Sequence, residues 1–125
     1  YASAVAAVCN WTARSIGIAK KGVRNVLIHA GILTGEPEVG PTVDLDMPDG
    51  DCFHFAESDG LIEAMADMGD RVKKGQPVAR IWPPDRTGVA PVTITARRDG
   101  LLTSRHFPGL VKAGDCVAVI AVEVG

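Results

Sequence analysis

Val72-Lys73-Lys74-Gly75-Gln76-Pro77-Val78 is echoed by Val111-Lys112-Ala113-Gly114-Asp115-Cys116-Val117, the mark of an internal repeat. A second echo flanks it: Asp59-Gly60-Leu61-Ile62 returns as Asp99-Gly100-Leu101-Leu102, and Ile81 returns as Ile120. The offset is 40 residues at the Asp-Gly pair and 39 at the turn. Each copy reads as a strand opening at Asp-Gly, a loop, and a V-K-x-G turn feeding a second strand. Glycine suits the turn because a residue with a Cβ is strained in the backbone conformation needed there. Two such copies can face each other about a pseudo-two-fold axis and bury their apolar faces in a flattened barrel.

Working outward, Cys52 to Phe55 alternates, and Leu61 to Ala66, Val78 to Trp82, Val92 to Ala96, Leu101 to Ser104 and Cys116 to Val122 read as strands between Gly, Pro and Asp turns. Residues 51–125 are therefore expected to form one mainly β domain. Residues 34–50 hold Pro37, Pro41 and Pro48 among acidic residues and read as a linker, with one short strand at Thr42 to Asp46. Upstream, Ala13, Ile16, Ala19, Val23, Val26, Leu27 and Ala30 recur at helical spacing, with Thr12 as N-cap and Gly31 as the C′ residue. Tyr1 to Val8 is short and apolar, as a buried strand is. A strand and helix over residues 1–33 close an α/β layer without completing one, so the chain reads as part of a larger protein.

Composition narrows the function. At 125 residues and 46% hydrophobic, the chain can bury one respectable core. A net charge of -2, with Lys and Arg scattered among acids, lacks the basic stripe that nucleic acid requires. No apolar run approaches the roughly 20 residues that cross a bilayer, so no membrane partner is expected. Cys9, Cys52 and Cys116 have no CxxC spacing and cannot all pair within one chain, which suits reduced thiols in the cytoplasm.

Gly69-Asp70-Arg71-Val72 with Gly75-Gln76-Pro77-Val78 resembles the turn of biotinyl and lipoyl carrier domains, whose fold is the barrel-sandwich hybrid. The resemblance implies the fold and not the carrier function. Pro83-Pro84-Asp85-Arg86-Thr87-Gly88 stands near the junction where a carrier presents its lysine, and no lysine occurs between Gln76 and Val111.

A wider resemblance covers nearly the whole chain. Thr12-Ala13-Arg14-Ser15, Gly22-Val23-Arg24-Asn25-Val26-Leu27 and Gly31-Ile32-Leu33 are similar to the helix after the catalytic strand of the succinylglutamate desuccinylase/aspartoacylase family. Asp59-Gly60-Leu61, Gly69-Asp70-Arg71-Val72, and Arg105-His106-Phe107-Pro108-Gly109-Leu110 with Gly114-Asp115-Cys116 match its C-terminal part. Within the family, the similarity points to the N-acetyl-diaminobutyrate deacetylase branch. Such membership implies zinc-dependent hydrolysis of small N-acylated amino acids: the metal polarises the amide carbonyl and activates water, while a Glu moves the proton. The family's zinc motif lies in the N-terminal half, so a deacylase domain, or another copy of the chain in a homo-oligomer, is the implied partner. No zinc is expected on this chain, which would be inactive by itself. The matched register puts Ala4 where the family has its catalytic Glu, leaving no general base. A non-catalytic β-sandwich for assembly or protein interaction is the alternative function.

By the same resemblance the Arg105-His106 loop approaches the substrate, where a guanidinium suits a carboxylate. Other polar groups read as structural. Cys52 and His54 are two ligands where a structural zinc needs four, and His29 suits the carbonyl end of its helix. The acidic run from Glu36 to Asp51 lacks the spacing of an EF-hand.

Overall fold

The computed structural model describes residues 13–107 and 109–124, and the chain divides into two compact units, Tyr1–Thr42 and Val43–Gly125. The strand expected over Tyr1 to Val8 and the Thr12 cap lie outside the described residues.

In the first unit, helix α1 (Ala13–His29) follows the apolar periodicity. Ile16, Ala19, Val23 and Leu27, one or two turns apart, line an apolar groove with Leu33. The helix stops at Gly31, whose φ of 71° is the left-handed conformation that a C′ glycine supplies. There Gly31 N–H donates to Ile28 O (3.0 Å) and Ile32 N–H to Leu27 O (2.9 Å), a Schellman ending. The chain then folds back along the helix. Asn25 holds Glu38 through both backbone groups at 2.9 Å each, and Lys21 lies 3.4 Å from the Glu38 carboxylate.

The second unit contains β1 (Asp44–Asp46), β2 (Phe53–Phe55), β3 (Gly60–Ala64), β4 (Arg71–Val72), β5 (Pro77–Trp82), β6 (Val92–Thr95), β7 (Gly100–Arg105), β8 (Leu110–Val111) and β9 (Cys116–Val124). One antiparallel sheet runs β1-β9-β7-β4, with β2 also on β9; the other runs β6-β5-β3-β8. Through β1, the end of the stretch read as a linker joins the sheet, with Leu45 opposite Glu123.

The repeat is built as a reciprocal exchange. The hairpin β3–β5 belongs to one sheet and its counterpart β7–β9 to the other. The turn strand of each copy crosses over: β4 pairs with β7, Val72 opposite Gly100, and β8 pairs with β3, Val111 opposite Gly60. The Asp of each Asp-Gly pair caps the other copy's turn, Asp99 accepting from Lys74 N–H (2.7 Å) and Asp59 from Ala113 N–H (2.8 Å). Gly75 and Gly114, with φ of 85° and 93°, donate to Ala96 O and Ala56 O.

The mainly β sandwich expected from the repeat is present as two antiparallel sheets, and no strand pairing among the described residues closes them into a barrel. The crossing strands β4 and β8 are two residues long and each pairs on one side only, so each ends its sheet. The core lies between the sheets: Ile81 and Val78 from one side meet Ile120, Leu102 and Val117 from the other, all 3% exposed or less. Each such side chain contributes about 1.5–3 kcal/mol.

Candidate functional site

The loop after β7 carries Arg105 and His106, and a β-bulge sets its geometry. Leu102 faces Ile120 and Ser104 faces Val119, leaving Thr103 as an extra residue. Its hydroxyl donates to Val119 O (3.2 Å). The backbone bonds locate the irregularity in the repeat. Leu102 N–H donates to Asp70 O as Ile62 N–H does to Gly109 O, and His106 N–H donates to Val117 O as Met65 N–H does to Val78 O. The bulge adds one residue to the second copy and the following turn loses two, which is how an offset of 40 becomes 39. Bulges of this kind re-aim side chains at the rim of a sheet.

Arg105 Nη1 lies 3.0 Å from Asp67 Oδ1, across the β3–β4 turn. The turn is itself tied, since Asp67 N–H donates to Asp70 Oδ2 (2.9 Å). Arg105 is exposed, and the contact with Asp67 holds one edge of its guanidinium. His106 Nε2 lies 3.1 Å from Leu110 O. A carbonyl can only accept, so Nε2 carries the proton and Nδ1 is left as an acceptor. Beside them Phe107 is 69% exposed. Sequence reasoning missed Asp67; its position beside the Gly69-Asp70 turn, opposite the end of β7, is the signal that would have found it.

Cys52 and His54 occupy a different region. Among the described residues, no three His, Cys, Asp or Glu side chains converge. His54 is 1% exposed; its Nε2 accepts from Arg97 N–H (3.0 Å), which places the proton on Nδ1. Nδ1 lies near the Ala118 and Cys52 backbone without reaching hydrogen-bond geometry. Burial lowers the His54 pKa below 6.5, and Arg97 adds to the effect. The unfolded chain therefore binds this proton first. Stability is full above about pH 6.5 and falls with acidification by at most about 1.4 kcal/mol per pH unit until His54 itself titrates. Urea midpoints at pH 7.5 and 5.5 should show the loss, and His54→Ile, the residue at the equivalent position 94, should reduce it. An unchanged slope in the variant would remove His54 as the cause.

Ala4, which the family resemblance puts at the position of the catalytic Glu, lies outside the described residues. No family model matches the chain. It is 45% identical, over 90% of its length, to N-alpha-acetyl-L-2,4-diaminobutyric acid deacetylase of Halomonas elongata, of which it spans 34%. A product-bound structure of the ectoine utilization protein EutE (DoeB) from Ruegeria pomeroyi matches 90% of the chain at 63% identity and a TM-score of 0.84, over 35% of that protein. A succinylglutamate desuccinylase/aspartoacylase structure from Rhodobacter sphaeroides matches 92% of the chain at 29% identity and a TM-score of 0.82, over 37% of its own length. The chain thus spans about a third of the relatives it matches. On this identity and structural similarity, the chain belongs to the succinylglutamate desuccinylase/aspartoacylase family and corresponds to the C-terminal part of its members.

Proposed function

We propose that the chain is the C-terminal portion of a zinc-dependent deacylase of small N-acylated amino acids, with the sandwich bordering the substrate cleft. The observation that carries this reading is the 63% identity to a product-bound ectoine utilization protein over 90% of the chain. The described residues do not fit a zinc site. His54 is committed to Arg97 N–H, His106 Nε2 to a carbonyl, and His29 belongs to the other unit. Zinc, when bound, would polarise the amide and activate water from ligands in the N-terminal deacylase domain. The role left to this chain is binding. Arg105, held on one edge by Asp67, presents the rest of its guanidinium to a substrate carboxylate, and His106 offers Nδ1 as an acceptor beside it. A cytoplasmic setting agrees with the unpaired Cys52 and Cys116 thiols.

The test is acetate release from an N-acetylated diamino acid with zinc present. The chain by itself should give none. A chimera of the Halomonas elongata deacetylase, with residues 13–125 of this chain in place of the matching C-terminal segment, should keep activity within about tenfold of its parent. A zinc-loaded, folded chimera without turnover would sink the reading, as would turnover by the chain alone. In the active chimera, Arg105→Ala should lower kcat/KM by about 10–100-fold, mostly through KM, for a lost charged contact of about 1.5–3 kcal/mol. Its effect on stability should stay below about 1 kcal/mol, since an exposed ion pair is worth no more. A stability loss without a change in KM would make Arg105 a structural residue.

A further inference from the structure

The repeat puts a filled space in one copy against an open one in the other. In the second copy, Arg98 Nη1 reaches 2.8 Å from Asp49 Oδ1 and 3.2 Å from Cys52 Sγ, covering a fully buried thiol. Ser58 holds the place of Arg98 in the first copy, one residue before the Asp-Gly pair. The strand pairings match as well: Ala79 faces Ile94 as Ala118 faces His54, and Arg80 faces Thr93 as Val119 faces Phe53. Counting back along β6 and β2, Val89 and Val92 correspond to Asp49 and Cys52. Ser58 is too short to span the gap, and a cavity of about 320 Å³ stands there, lined by Ser58, Asp59, Ile81, Asp85, Val89 and Val92.

The carboxylates show the same asymmetry. Asp99 Oδ2 lies 3.7 Å from Lys73 Nζ, whereas Asp59, its counterpart, accepts Ala113 N–H through Oδ1 and has no cation among the described residues. Arg86 also lines the cavity, but its Nε is 3.8 Å from Asp85 Oδ2, so these two charges offset each other. What remains is an apolar wall of Ile81, Val89 and Val92 with one uncompensated carboxylate and a hydroxyl at its edge. The volume is at the low end for small-ligand pockets. We propose that this cavity binds a small alkyl cation, a short apolar chain ending in an ammonium or guanidinium group, occupying the space that the Arg98 side chain fills in the other copy. The chain would lie on Ile81, Val89 and Val92, with the cation at Asp59 and Ser58. This proposal is independent of the deacylase reading.

Nuclear magnetic resonance titration of the full chain with butylguanidinium, butylammonium, butanol and butyrate tests it. Saturable shifts at Ser58, Val89 and Val92 are expected with one or both cations, at least about tenfold tighter than with butanol or butyrate. Ser58→Arg should abolish them by filling the cavity from within. Asp59→Asn retains an acceptor for Ala113 N–H, so the fold should survive while binding weakens about tenfold or more. Equal binding of butanol, no saturation by about 50 mM, or shifts that persist in Ser58→Arg would each overturn the proposal. So would shifts that depend on protein concentration, since a side chain of a second copy would then be the occupant.

Discussion

Gly60→Ala and Gly100→Ala are each expected to destabilise the β unit by about 3 kcal/mol, enough to unfold a marginal domain. The reason is space. A Cβ at Gly60 would stand 2.5 Å from Trp82 O and 2.6 Å from Ile81 Cγ2. At Gly100 it would overlap Ala121 O and stand 2.9 Å from Ile120 Cγ2. Neither neighbour can retreat easily. The carbonyls belong to strands paired on both sides, and Ile81 and Ile120 are 1% and 0% exposed in the centre of the core. Gly22→Ala in α1 is the control, since among the described residues no atom beyond the helix's own backbone lies within 4 Å of a Cβ there; it should stabilise by about 0.5–1 kcal/mol. Urea midpoints of the three variants decide the matter. A wild-type midpoint for Gly60→Ala or Gly100→Ala would mean that β5 or β9 can move away from its hairpin partner, and that the Asp-Gly signal reflects the turn alone.

The same glycines explain why so much of the fold was legible. Asp-Gly recurs because its Asp caps the other copy's turn and its Gly leaves room for the strand paired with it in the same hairpin, Trp82 beside Gly60 and Ala121 beside Gly100. A repeated constraint on two backbones leaves a repeated sequence. The helix ending was legible for a similar reason, since Gly31 supplies a conformation that its neighbours avoid. Pairing partners were less so. Nothing local tells β1 and β2 to lie along the same edge of β9, and two-residue strands such as β4 and β8 carry too little pattern to show that the sheets stay open. The candidate site was half legible. Arg105 and His106 stood out by resemblance, but Asp67 lies 38 residues away and reaches Arg105 only because the β3–β4 turn and the end of β7 meet across the repeat. The Thr103 bulge was hidden because its extra residue is more than offset by the shorter turn that follows.

Extending the exchange in the chimera from residues 13–125 to residues 1–125 should lower kcat/KM about 10²–10⁴-fold, and Ala4→Glu should recover most of it. The two chimeras share the helix, the sandwich and Arg105. The longer one also replaces the stretch in which the family resemblance places its general base. Alanine has neither an acceptor nor a donor for the proton that must leave the attacking water and reach the departing amine. On the proposed reading the metal ligands lie upstream of the exchanged segment in both chimeras, so zinc content should be equal, and the loss should fall on kcat with little change in KM. Aspartate at position 4 should recover less than glutamate, because a shorter side chain leaves the carboxylate out of hydrogen-bond reach of that water. Equal activity of the two chimeras would show that the proton is moved by a residue elsewhere and that the register placing Ala4 is wrong. Failure of Ala4→Glu to recover activity in a zinc-loaded chimera would instead show that another difference within residues 1–12 causes the loss.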